Sequence, residues 1–238
     1  MNSGQPQGEK PMLIFCRMAL GVLLLALTIP SFASNLPFAE EIRLFGVEDE
    51  IYPPAGCETL FVGSSSFRFW SRLQKDFPKR KILKRGFGGA SIADINLHFD
   101  RVVGRYRPRE IVFYAGENDI NGGKPVEMVL EDFKRFLDRK SALLGNTPVY
   151  FVSVKPSTAR TADFSKQTLL NEIISGLAAT RDDLVFVDIV QPMLRKGRAR
   201  PELYISDGLH MNSAGYSIWK KKIMQALSEG KRAKMENC

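Results

Sequence analysis

Three cysteines and two histidines are all that the 238 residues contain. Cys16, Cys57 and Cys238 stand far apart, so the spacings of a zinc site and of a disulfide-framed mini-domain are both missing. One bridge between Cys57 and Cys238, or two free thiols, are the open alternatives in an oxidising compartment. Internal repeats of 20–50 residues and long low-complexity tracts are also lacking, which excludes solenoids and propellers. The longest uncharged apolar run, Met18 to Ile29, has 12 residues. That falls short of the roughly 20 needed to cross a bilayer.

What remains is the composition of one globular domain, 44% hydrophobic and 25% charged, large enough to bury a substantial core. Its N-terminus differs from the rest. Lys10 and Arg17 precede the apolar run, and Pro30 and the small-residue stretch Ser31-Phe32-Ala33-Ser34 follow it, with cleavage favoured after Ala33. This is the layout of a secretory signal peptide over 1–33, or of a retained anchor. An exported protein, periplasmic or secreted, is expected.

The formal charge of +8 is barely changed by loss of Glu9, Lys10 and Arg17 with that segment. Acids are mixed with the lysines and arginines at 40–50, 72–85, 101–109, 134–140 and 195–200, and no basic run is interleaved with aromatics. Nucleic acid is therefore not an expected partner, whereas a peripheral contact with anionic lipid or cell-wall polymer suits the charge.

Residues 34–58 read as an N-terminal helix, with Phe38, Ile42 and Phe45 at helical spacing, and a Pro53-Pro54-Ala55-Gly56 linker. Beyond it, β-rich runs at 59–62, 81–85, 110–115, 148–154 and 184–189 alternate with amphipathic stretches near 66–76, 91–104, 125–143 and 164–180. Runs such as Ile111-Val112-Phe113-Tyr114 are apolar at every position, as strands covered on both faces are. The fold class is α/β: a three-layer α/β/α sandwich on a five-stranded parallel sheet in flavodoxin-like order. A helix from Asn212-Ser213 to about Ser228 closes the domain at 59–228, and 229–238 is left as a loose tail. Sites in such sheets form outside the carboxyl ends of the strands.

Four short motifs stand there. Gly63-Ser64-Ser65-Ser66 follows the first strand, where a serine is either a helix N-cap or a nucleophile. Gly86-Phe87-Gly88-Gly89 follows the second; Ser91 stands where a dinucleotide loop needs its third glycine, and exposed N–H groups suited to an oxyanion are the more economical reading. Gly116-Glu117-Asn118-Asp119 follows the third and offers a side-chain amide. Asp207-Gly208-Leu209-His210 follows the fifth, and one turn of chain brings Asp207 against the imidazole so that the other ring nitrogen is free for a serine. His98 lies in a predicted helix and reads as structural. Phe67 occupies the second glycine position of G-x-S-x-G, so the nucleophile elbow of the α/β-hydrolases is not supported. The fourth strand contributes Lys155-Pro156-Ser157, to which the sequence assigns no role.

In these four blocks residues 38–228 resemble the SGNH hydrolases, also called GDSL-type esterases. The resemblance implies Ser65 as nucleophile, His210 as base and Asp207 as its orienting acid. It also implies an oxyanion hole of the Ser65 and Gly89 N–H groups with the Asn118 amide. Ser64 replaces the aspartate of the name motif, a Gly-Ser-Ser-Ser variant similar to a branch of small-ester hydrolases, and Ser64 and Ser66 remain rival nucleophiles. The implied activity is carboxylic ester hydrolysis through an acyl-enzyme, with no metal or organic cofactor. Substrates in view are short-chain esters, acetylated carbohydrate and lysophospholipid. An O-acyltransferase of a cell-surface sugar on the same triad, and a non-catalytic binding protein on the same fold, are the alternatives.

Overall fold

In the computed structural model the described residues are 1–4 and 36–230; residues 5–33 of the leader-like segment, its cleavage position and residues 231–238 of the terminal tail, with Cys238, lie outside them. The folded unit opens with α1 (Ala39–Ile51), β1 (Thr59–Gly63), α2 (Ser65–Arg68), α3 (Leu73–Asp76), β2 (Ile82–Gly86), α4 (Ile92–Leu97) and α5 (Phe99–Val102). It continues with β3 (Glu110–Tyr114), α6 (Glu117–Asn121), α7 (Val126–Leu144), β4 (Val149–Val152), α8 (Phe164–Ala179) and β5 (Leu184–Val187). Then come α9 (Val190–Met193), the hairpin of β6 (Leu194–Arg195) and β7 (Arg198–Ala199), and α10 (Ser213–Glu229).

Strands β1 to β5 form one all-parallel sheet in the order β2-β1-β3-β4-β5, the flavodoxin-like order that the alternation predicts. Strand side chains alternate between two cores. Leu60, Val62, Ile111, Phe113, Val149 and Phe151 pack under α1, α4, α5, α7 and α8; Phe61, Val112, Tyr114, Tyr150 and Val152 pack under α2, α3, α9 and α10. Helices therefore cover both faces in three layers. Buried positions Val126, Val129, Phe133, Phe136 and Leu137 place one stripe of α7 on the sheet, and Gly215, Trp219, Ile223 and Leu227 do the same for α10. The Asn212 side chain caps α10 by accepting from the Ala214 and Gly215 N–H groups.

Two expected helices are each broken in two. The 66–76 stretch turns after Arg68, so that Phe67, Trp70 and Leu73 can all be buried. The 91–104 stretch breaks at His98, whose ring lies against the Pro37 carbonyl oxygen at 2.6 Å. Strand β4 is also shorter than predicted. Beyond Val152 the chain leaves the sheet, and the side-chain amide of Asn171 on α8 takes the place of a neighbouring strand, bonding both the N–H and the carbonyl of Val154. Among the described residues no helix is long and apolar enough to cross a membrane.

Candidate active site

The site begins where β1 runs out. Gly63 has φ 157°, and a Cβ there would strike the Tyr114 backbone carbonyl, the same carbonyl that accepts the Ser64 N–H at 3.0 Å. No side chain fits this close approach, so the strand can turn directly into α2 only with glycine. Ser64 is the N-cap residue, but its side chain makes no capping bond, and both Ser64 and Ser66 are buried. Ser65 is half-buried, and its Oγ lies 2.9 Å from His210 Nε2. Of the three serines, it is the one whose hydroxyl meets the imidazole.

His210 and Asp207 share one tight turn, closed by the Gly208 N–H on the Ile205 carbonyl and the Ile205 N–H on the His210 carbonyl. Asp207 Oδ1 accepts the N–H groups of Leu209 and His210 at 2.8 and 2.9 Å, while Oδ2 lies 2.6 Å from His210 Nδ1. Partial burial works to raise the Asp207 carboxyl. The His210 ring and the two N–H donors outweigh it and hold the group down at about 2. A carboxylate at Nδ1 keeps the proton there and leaves Nε2 as the acceptor facing Ser65. The exposed ring of Phe69 meets the His210 ring edge-on at 4.8 Å.

Gly89 and Asn118 approach from the next two strands. Gly89 is exposed at φ 76°, a left-handed conformation natural to glycine, and its N–H makes no hydrogen bond among the described residues. Its loop is held from α1: Glu41 accepts the Gly88 N–H at 3.2 Å and pairs with Arg68 at 2.7 Å. Asn118 is gripped at both ends, its Oδ1 accepting from Arg160 at 3.0 Å and its Nδ2 donating to the Ala90 carbonyl at 3.0 Å. One of the two Nδ2 hydrogens stays uncommitted. The Ser65 N–H, first in α2, has no partner within the helix. Next to Asn118, buried Asp119 accepts the Ile92 N–H at the start of α4 and pairs with Lys124 at 3.2 Å. Burial nonetheless raises its carboxyl above the usual range.

A charged floor that sequence reasoning missed lies beneath. Glu117 accepts from Lys155 at 2.8 Å through both oxygens and from the Tyr114 hydroxyl at 2.7 Å, and Arg160 stands 3.7 Å away. Lys155 is wholly buried, and burial lowers its ammonium although the Glu117 carboxylate works the other way. Tyr114, also wholly buried and beside that carboxylate, is pushed well above the normal phenol range. Lys155-Pro156-Ser157, without a role in the sequence, thus supports the site from below; its signal was a lysine placed directly after an apolar strand. Among the described residues no group of three or more His, Cys, Asp or Glu side chains is placed to hold a metal ion. Cys57 is disulfide-bonded.

The model of the GDSL-like lipase/acylhydrolase family matches residues 54–218. Among solved structures, the chain is similar to a GDSL-like lipase from Bacteroides thetaiotaomicron: 22% identity, TM-score 0.68, 79% of this chain and 97% of that one covered. It is also similar to a carbohydrate esterase family 3 protein from Talaromyces cellulolyticus (16%, TM-score 0.60, 72% and 96%). A lipase/acylhydrolase from Enterococcus faecalis is a third such structure (16%, TM-score 0.59, 74% and 98%). At these identities the likeness is one of fold. None of the curated proteins matches the sequence.

Proposed function

Because the chain belongs to the GDSL-like lipase/acylhydrolase family, we propose that it is a serine esterase acting on short-chain carboxylic esters through Ser65, His210 and Asp207. The supporting observation is the unbroken relay of 2.9 Å from Ser65 Oγ to His210 Nε2 and 2.6 Å from Nδ1 to Asp207. His210 Nε2 takes the hydroxyl proton as Ser65 Oγ bonds to the ester carbonyl carbon, while Asp207 holds the ring and balances the imidazolium. The Ser65 N–H, the Gly89 N–H and the Asn118 amide donate to the oxygen as it becomes negative. When the tetrahedral intermediate collapses, the imidazolium gives its proton to the departing alkoxide. Water, deprotonated by the same nitrogen, then releases the acid and restores Ser65.

The openness of the triad turn, with Phe69 as an exposed aromatic wall, suits a small acyl group on a bulky alcohol such as a sugar. Location outside the cytoplasm is part of the same proposal and rests on the leader-like N-terminus.

A fluorophosphonate probe tests the reading. The expected result is one adduct, mapped by mass spectrometry to Ser65, with p-nitrophenyl acetate turnover that is lost in Ser65→Ala. A folded protein that neither takes the label nor turns over ester would overturn it.

A further inference from the structure

Asn118 is an uncharged amide whose two ends differ by a 180° rotation, and only one orientation places N–H donors toward a substrate oxygen. The surroundings dictate that orientation. On the Oδ1 side stands Arg160, a guanidinium with donors and no acceptor, 3.0 Å away; on the Nδ2 side stands the Ala90 carbonyl, an acceptor with no donor, 3.0 Å away. A flipped amide would set N–H against guanidinium N–H and oxygen against oxygen, unsatisfying two bonds at once. We propose that Arg160 is the positioning residue that aims Asn118 at the reacting carbonyl; this deepens the reading of Asn118 as an oxyanion donor and rests on it.

Arg160 is built into that place. It sits at the end of the segment after β4, which is tied to the triad turn by the Thr158 hydroxyl and the Ala159 N–H, both donating to the Gly208 carbonyl at 3.1 Å. Tyr204, just upstream of that turn, donates its hydroxyl to the Pro156 carbonyl at 2.6 Å. The segment therefore touches the acid–base turn and the oxyanion amide together. The guanidinium side chain is only 15% exposed, so it holds its place beside Asn118 with little competition from water.

The test uses the full chain. Arg160→Ala should lower kcat about ten- to hundredfold with KM within about twofold, a smaller loss than the roughly hundred- to thousandfold set for a deleted oxyanion donor. If Arg160 acts through Asn118, the two losses do not add: in an Asn118→Ala background, Arg160→Ala should change kcat less than about twofold. Additive losses, or an unchanged kcat in the single variant, would refute the positioning role. Arg160→Met, which keeps the aliphatic stem, takes the place of Arg160→Ala should the latter not fold, with the same outcomes. The orientation is also read without substrate from 15N relaxation of the Asn118 side-chain amide, assigned by its loss in Asn118→Ala. It should be rigid in the wild type and mobile once Arg160 is replaced; a mobile wild-type amide overturns the proposal. Wild-type protein that hydrolyses no ester but holds a rigid amide counts against the esterase reading alone.

Discussion

The two halves of the proposed catalytic site are built in opposite ways. The acid–base half lies in the open on a turn of six residues, Ile205 to His210, and the side chains of Asp207 and His210 make their hydrogen bonds within that turn or to Ser65. The oxyanion half takes its donors from chain segments on different strands and rests on a buried charged cluster with side chains from residues 114, 117, 155 and 160. A short self-bonded turn can be surrounded by water because its partners are never far away. A side-chain amide that must hold one orientation cannot rely on water, and the fold surrounds it with fixed charges.

That contrast can be broken from either side. The largest expected effect belongs to the open half: Ser65→Ala should lower kcat about a million-fold, the scale of a lost nucleophile. Its thermal midpoint should stay close to the wild type, since the hydroxyl contributes nothing to the buried packing; a large drop in midpoint would show that the open half is structural too. Next, Lys155→Met should destabilise the fold by about 3–5 kcal/mol in urea titration, because buried Glu117 loses the ammonium that meets both of its oxygens and keeps only the Tyr114 hydroxyl and the more distant Arg160. Combining it with Glu117→Gln should recover most of that loss, and failure to recover would show that the cluster is not held by this pair.

A smaller effect is expected from α1. Glu41→Gln removes the charge that holds both Arg68 and the Gly88 N–H, and kcat should fall a few-fold, on the order of one weakened hydrogen bond to a charged group. Equal turnover would show that the Gly89 loop holds itself.

The smallest effect is one of pH. Asp207 is held at about 2, below the ordinary aspartate value near 4. A group depressed on folding keeps its contribution above its unfolded value and loses it only as pH falls toward the folded one. The rate profile should therefore carry no inflection near pH 4. An inflection there would mean that Asp207 is not held by His210.

The same contrast explains what the sequence made legible. Strand positions followed from unbroken apolar runs, and Asp207 with His210 from a three-residue spacing, because those signals are local. Arg160 is 42 residues from Asn118, and Lys155 is 38 from Glu117. Pairings of that length are created by the sheet order, since β3 and β4 lie side by side, and no single-sequence periodicity encodes them. Glu41 escaped for the same reason, 47 residues from Gly88. Helix breaks at 69–72 and His98 were missed because burial of particular side chains, Trp70 and His98, outweighed a continuous amphipathic pattern.

The chain has two tryptophans, and both are buried in the same layer: Trp70 just after α2 and Trp219 on α10, their rings 6.3 Å apart. Trp219 also meets Phe67 of the helix that Ser65 begins. The opposite layer, rich in phenylalanine, has none. Ultraviolet emission from this protein is therefore a one-sided reporter, blind to α7 and α8 and adjacent to the helix that Ser65 begins. Ligand titrations can be followed without a dye, and any gap between the emission and circular dichroism melting curves would measure how independently the two layers come apart.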